Sequence, residues 1–395
     1  MTQSIQCTGF QASGVVAGIK KKSNKDLGLI VSQAPASIAA MFTRNRVKAA
    51  PVLLSQERAA SGLVRAIIAN AGNANCCNGD QGMADARQMT QAVAQGLGVA
   101  AEQVLVASTG VIGAPLPIEK VDAAVPTLIS ELRPEGFADF AQAIMTTDTI
   151  PKLLHRQATL DGTPFTILAA AKGAGMIRPD MATMLCFICT DADVPGELLQ
   201  QMLGHAVDRS LNRITIDGDT STNDTVFLMA NGLSGARVKN NAHQVLFQKL
   251  LDDLLMEIAR LLVKDGEGVT KVVNLQVKGA ASDADAERIA DVVAHSPLVK
   301  TAFFGQDANW GRIVGAVGRA GVDIDPKRID IYFDEVQMVQ AGQGCGAENE
   351  AQVTAVMKKT EFSVVVDLNI GAGQAAILTC DFSIDYVKIN ADYRS

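Results

Sequence analysis

The chain has 395 residues, 48% of them apolar and 19% charged, with a formal net charge of −7. That length is enough for two or three domains with cores of their own, and the acidic balance argues against a general binder of nucleic acid or of anionic membranes. No segment approaches the roughly 20 apolar residues of a membrane span, and the first five residues lack the basic and apolar regions of a signal peptide, so the cytoplasm is the expected compartment.

Residues 9–31 read as two strands around the loop Lys20-Lys21-Lys22-Ser23-Asn24-Lys25, whose lysines suit a solvated turn. Residues 37–42 look like a short helix with Ser37 as its N-cap. An apolar strand at 63–69 runs into Asn70-Ala71-Gly72-Asn73-Ala74-Asn75-Cys76-Cys77-Asn78-Gly79. So many asparagines and glycines mark a loop with unusual backbone angles. A helix is expected over 83–97, and then a strand at 104–107 leads into Ser108-Thr109-Gly110-Val111-Ile112-Gly113. A strand that ends in such a loop can aim backbone N–H groups at an anion, as an oxyanion hole does. The alternative is a tight turn; a phosphate loop is disfavoured, because the G-x-x-x-x-G-K-[ST] pattern is absent. Helices follow at 118–132 and 136–145, then Thr146-Thr147-Asp148-Thr149, which by itself reads as an N-cap cluster or loop. Strands at 157–160 and 165–170 lead to Lys172.

The stretch Lys172-Gly173-Ala174-Gly175-Met176-Ile177-Arg178-Pro179-Asp180-Met181-Ala182-Thr183-Met184-Leu185 is the most informative of the chain. A cation and two glycines precede a turn held by Pro179, and a buried strand begins after Thr183. A threonine at that position can attack the preceding carbonyl through its hydroxyl and pass through an ester to become a new N-terminus. The freed amine then serves as base for the hydroxyl beside it; the ordinary pKa of an α-amine, roughly 7.7–8.0, suits that work. The plain alternative is an ordinary loop-to-strand junction. Cys186 and Cys189 form a C-x-x-C, but on a strand residues three apart point to opposite faces, so they read as two buried thiols rather than a metal or redox pair. Seven cysteines, two of them adjacent at Cys76-Cys77, show no disulfide framework.

A helix over 195–211 precedes Ile214-Thr215-Ile216-Asp217-Gly218-Asp219-Thr220-Ser221-Thr222-Asn223-Asp224-Thr225. Its aspartates invite a calcium reading, but the glutamate at the twelfth position of an EF-hand loop is missing, so a hydrogen-bonded structural loop is expected. Residues 242–263 carry apolar side chains at helical spacing, and Gly266 fits the C-cap. Glu267, between two glycines, is a carboxylate placed on a turn. From about 280 the pattern alternates between helix and strand, with strands at 299–303, 329–333, 362–367 and 375–380, as in a smaller α+β domain. Trp310 reads as a packing anchor, and 387–389 would complete an edge strand. All four histidines fall outside these motifs, which leaves Ser-His-Asp and Cys-His chemistry without a site.

The 172–185 stretch resembles the cleavage site of the ornithine acetyltransferase family, which has Lys-Gly-Ser-Gly-Met-Ile and Pro-Asn-Met-Ala-Thr-Met-Leu; here Ala174 and Asp180 replace the family's Ser and Asn. Similar blocks run from about Gly9 to the last residue. The resemblance implies an α/β fold, a layered α-β-β-α sandwich with a smaller C-terminal α+β domain at about 280–395. It implies cleavage between Ala182 and Thr183 into an alpha chain, 1–182, and a beta chain, 183–395. It makes Thr183 the nucleophile, puts the oxyanion hole at Thr109 and Gly110, and puts substrate contacts at Thr146, Glu267, Asn390 and Ser395. Lys172 would pair with a substrate carboxylate or tune the Thr183 amine. The implied reaction moves acetyl from N-acetylornithine to glutamate in a heterotetramer of two alpha and two beta chains. It needs no cofactor or metal; acetyl-CoA would enter only as a further substrate. A self-cleaving aminopeptidase or amidase of the same fold would let water replace glutamate, which an acetyl-release assay with and without glutamate separates. An uncut binding protein would show one band on a denaturing gel.

Overall fold

The computed structural model describes residues 6–178 and 184–392, so the Ala182–Thr183 bond and Ser395 lie outside the described residues. The chain forms two compact units. One is built from the chain up to Asn212 with Asp219–Leu262, the other from Arg213–Gly218 and the chain from Val263 onward.

The first unit contains β1 (Phe10–Val15), β2 (Leu27–Phe42), α1 (Ala50–Ala59), β3 (Leu63–Asn73), α2 (Gly79–Leu97), β4 (Val104–Val111), α3 (Ile118–Ser130) and α4 (Phe137–Ala143). It continues with β5 (Lys152–Leu160), β6 (Thr163–Lys172), β7 (Leu185–Thr190), α5 (Gly196–Arg209), β8 (Thr225–Ala230) and α6 (Asn241–Lys264), the last two residues of which belong to the other unit. All eight strands join one sheet in the order β4-β3-β2-β8-β7-β6-β5, with β1 also on β2. The first part of β2 pairs with β1 and β3, and its second part pairs with β8 after a register shift between Val31 and Ala36. The two halves of the sheet share one core: Ile30, Ile67 and Leu105 pack with Leu168, Phe187 and Phe227. Phe140 of α4 closes that core edge-on against Phe187, ring centroids 5.0 Å apart.

Alternation along each strand sends the next side chains outward. Leu29, Ile68 and Val106 meet Met89 of α2 and Val125 of α3. On the far side Phe165 of β6 stacks on Phe247 of α6 at 5.9 Å. The result is the layered α-β-β-α arrangement, and burial on both faces explains why the strands read as unbroken apolar runs. Cys189 lies in the shared core and Cys186, also fully buried, points the other way, as their spacing on a strand requires. Burial pushes the Cys186 thiol up to about 12.

The second unit holds β9 (Val272–Ala280), α7 (Asp283–Ala294), α8 (Pro297–Gly305), α9 (Trp310–Gly318), β10 (Asp330–Phe333), β11 (Val336–Gln340), β12 (Gln343–Gly344), α10 (Ala347–Met357), β13 (Glu361–Asp367), β14 (Gly373–Cys380) and α11 (Ile384–Ala391). Its sheet has the order β12-β11-β10-β13-β9-β14. Leu275, Val277, Val364 and Val366 pack on Ile289 and Val293 of α7. This is an α+β unit, and it takes in β9, ahead of the composition shift near 280. Among the described residues no helix is long and apolar enough to cross a membrane.

Four local expectations are corrected. Residues 37–42 are strand, not helix: their alanines favour helix locally, but pairing from Ser37↔Ala230 to Phe42↔Thr225 overrides a weak propensity. Residues 299–303 lie in a helix that opens with Pro297, and the buried Val299, Ala302 and Phe303 have the three-and-four spacing of a helix face. Residues 387–389 belong to α11, which Ser383 caps by accepting the Tyr386 N–H. Gly266 does not take the left-handed conformation of a C-cap; Gly268 does, with φ +68°.

Candidate active site

The sequence ends a strand at 107, but β4 continues through Thr109 and Gly110 to Val111. Asparagines hold this end in place. Ser108 Oγ donates to Asn70 Oδ1 at 2.6 Å, and Asn70 Nδ2 to Asn73 O at 2.9 Å. Asn223 Nδ2 donates to both Ala74 O (2.7 Å) and Ser108 O (2.9 Å). These amides satisfy buried carbonyls that no ladder reaches. The Asn/Gly-rich loop and Asn223 are therefore one hydrogen-bonded frame beside Thr109 and Gly110.

Gly110 has φ +136°, and a Cβ there would collide with the backbone of Gly72 and Asn73 on β3. Gly110→Ala should therefore lose about 1–3 kcal/mol of stability through strain and overpacking. A fall in thermal midpoint checks this; an unchanged midpoint would show that β3 gives way freely.

Lys172, at the end of β6, is 3% exposed. Its Nζ donates to Thr109 Oγ1 at 3.3 Å. Beside it lies Asp148, which the sequence placed only in a polar cluster. Asp148 Oδ1 accepts from Lys152 Nζ at 2.7 Å and from the Gly173 N–H at 2.7 Å; Oδ2 accepts from the Thr146 N–H at 3.0 Å. Burial alone would raise the Asp148 pKa. The charges of Lys172 and Lys152, with the bonds from Lys152 and Gly173, outweigh it and hold Asp148 at about 2. One buried carboxylate thus ties together Thr146, Lys152 and the Lys172-Gly173 corner.

Lys20 also differs from its reading as a solvated turn residue. It is half-buried, its Nζ donates to Lys25 O at 2.7 Å, and its N–H joins those of Ala17 and Ile19 on the buried Asp26 carboxylate. Burial lowers its pKa and Lys172 adds to that, against Asp26 and Asp148. Asp148 and Lys152 left little trace in the sequence: four residues apart in a loop and a strand, they match no helical pairing rule.

In the second unit Asn390 Nδ2 donates to Glu267 Oε2 at 2.8 Å, which joins two expected substrate residues 123 positions apart. Glu267 is buried on the turn after α6, and Gly268 O accepts from the α11 cap residue Ser383 at 2.6 Å. Tyr386 of the same helix donates to Asp217 Oδ2 at 3.2 Å. Among the described residues no group of three His, Cys, Asp or Glu side chains could hold a metal ion. Thr183, Ala182 and Ser395 fall outside the described residues.

A lysine and a threonine are joined at the strand ends of this four-layer α/β unit, and comparison with known proteins gives the family it comes from. The chain belongs to the ArgJ family, whose profile matches residues 11–395. It is 54% identical to the arginine biosynthesis bifunctional protein ArgJ of Geobacter sulfurreducens over 98% of this chain and 99% of that one. It is 50% identical to the ArgJ protein of Syntrophotalea carbinolica, over 99% of this chain and 100% of that one. Solved structures similar to it include an ArgJ protein of Bacillus halodurans, 38% identical with a TM-score of 0.49, matching 52% of this chain and 97% of that one. Another is an ornithine acetyltransferase of Mycobacterium tuberculosis in complex with ornithine, 37% identical with a TM-score of 0.39, matching 45% of this chain and 93% of that one.

Proposed function

We propose that the chain cuts itself between Ala182 and Thr183 and then transfers acetyl from N2-acetylornithine to glutamate through acetyl-Thr183. The observation that carries this reading is the 3.3 Å bond between Lys172 and Thr109, which brings together two residues expected at the site from 63 positions apart. In self-cleavage the Thr183 hydroxyl attacks the Ala182 carbonyl carbon. The Ala182–Thr183 amide becomes an ester, which frees the Thr183 amine, and water then opens the ester to the Ala182 carboxylate and the Thr183 hydroxyl. In transfer that amine takes the hydroxyl proton as oxygen attacks the acetyl carbon. Thr109 and Gly110 hold the oxyanion, a type of contact worth roughly 3–4 kcal/mol. The amine returns the proton to the leaving nitrogen of ornithine, and the glutamate amine then takes the acetyl group.

Glu267 is assigned to the substrate amino group, with Thr146, Asn390 and Ser395 as further substrate contacts. Lys172 takes a substrate carboxylate or tunes the Thr183 amine. The fragments 1–182 and 183–395 would assemble as two alpha and two beta chains in the cytoplasm. No cofactor is required, and acetyl-CoA would act only as a further acetyl donor. Incubation with N-acetylornithine alone should add one acetyl mass to the 183–395 fragment, and double-reciprocal plots at several glutamate concentrations should be parallel. Intersecting lines with no acetylated fragment would refute the shared intermediate.

A further inference from the structure

Asp224 closes the 214–225 block and is 1% exposed. Its Oδ1 accepts the Met184 N–H at 3.0 Å, while its Oδ2 has no hydrogen-bond partner among the described residues. The Thr43 hydroxyl, which lies near, donates instead to Ser221 O at 2.7 Å. The main chain is fixed on both sides of this contact: the Thr43 N–H donates to Asp224 O at 2.9 Å, and the Thr225 N–H to Met184 O at 3.1 Å. Residue 184 is therefore held at its N–H by a side chain and at its carbonyl by the next strand.

A structural loop does not need a carboxyl here. An orphaned buried oxygen is costly and calls for an explanation. Burial raises the Asp224 pKa well above the ordinary carboxylate range, against the Met184 N–H, the Lys172 charge and the nearby Ser221 and Thr43 hydroxyls. The Met184 nitrogen belongs to the planar peptide group whose carbonyl is that of Thr183.

We propose that Asp224 is a positioning residue for Thr183: by holding the Met184 N–H it fixes the peptide plane that orients the Thr183 hydroxyl and, after cleavage, the Thr183 amine. This rests on the reading of Thr183 as nucleophile. Asp224→Ala in the full-length chain should slow self-cleavage by roughly 10- to 100-fold, since small misplacements of reacting groups have effects of that order. In the fraction that is cut, the kcat for acetyl transfer should fall by a similar factor with KM unchanged. Asp224→Asn keeps an oxygen for the Met184 N–H and should restore both rates to within about threefold. An alanine variant that cuts and transfers at wild-type rates would overturn the proposal. So would an asparagine variant that folds, shown by an unchanged thermal midpoint, yet cuts and transfers at least ten-fold more slowly than wild type; this second arm holds even if the alanine variant does not fold. Wild-type protein that neither cuts nor transfers would remove the Thr183 reading itself, a result distinct from both.

Discussion

Thr183→Ala should leave a single full-length band on a denaturing gel and abolish acetyl transfer, whereas the wild-type C-terminal fragment should begin Thr183-Met184-Leu185. Alanine supplies no hydroxyl to attack Ala182. Without the cut there is also no free amine at 183 to act as base. Both roles of one residue vanish together, so the loss should be on the order of 10³-fold or more, the scale seen when a catalytic nucleophile is removed. Thr183→Ser keeps an oxygen nucleophile and should still be cut. Appearance of the two fragments from the alanine variant would show that some other group, or a protease, breaks the chain.

Asp148→Ala should be strongly destabilising. The side chains of Asp148 and Lys152 are fully buried, 2.7 Å apart. Removing Asp148 takes from the buried Lys152 the carboxylate it contacts at 2.7 Å, and breaking such a buried pair costs about 3–5 kcal/mol. The backbone N–H groups of Thr146 and Gly173 would lose their acceptor as well. The pH dependence has a definite sign. Asp148 has a folded pKa of about 2 against an ordinary 3.8, so its contribution is present above about pH 4 and is lost as pH falls towards 2. That shift corresponds to roughly 2 kcal/mol. Wild-type denaturant midpoints should drop across this window, and those of Asp148→Asn should drop less. Equal acid profiles for the two proteins would mean that Asp148 is not held as a buried anion.

Much of this was legible in the sequence where the signal was local. The apolar runs at 63–69, 165–170 and 184–188 announced strands because the sheet is covered on both faces. The Asn/Gly stretch at 70–79 announced a loop of special geometry, and the structure shows its asparagines clamping β4. The order of motifs carried the family. What stayed hidden depended on distant partners. Residues 37–42 became strand only because β8, nearly two hundred positions later, offers its edge. Asp148 looked like any polar loop residue until Lys152, Gly173 and Thr146 surrounded it. The orphaned oxygen of Asp224 has no signature in a row of polar letters.

The pairing of β6 with β7 has a kinetic consequence. Lys172 and Leu185 face each other across the antiparallel ladder, so the proposed cut falls inside the connection of a single hairpin. Before the cut, that short tether keeps the two strands at an effective concentration of millimolar order, and the sheet forms as a unimolecular event. After the cut the same ladder joins two molecules. Its reassembly from denatured fragments becomes second order, so recovery on refolding should rise with protein concentration. The uncut Thr183→Ala chain should refold independently of it. Maturation would thus turn a fold that can be reached again from a single chain into one that persists mainly through slow unfolding.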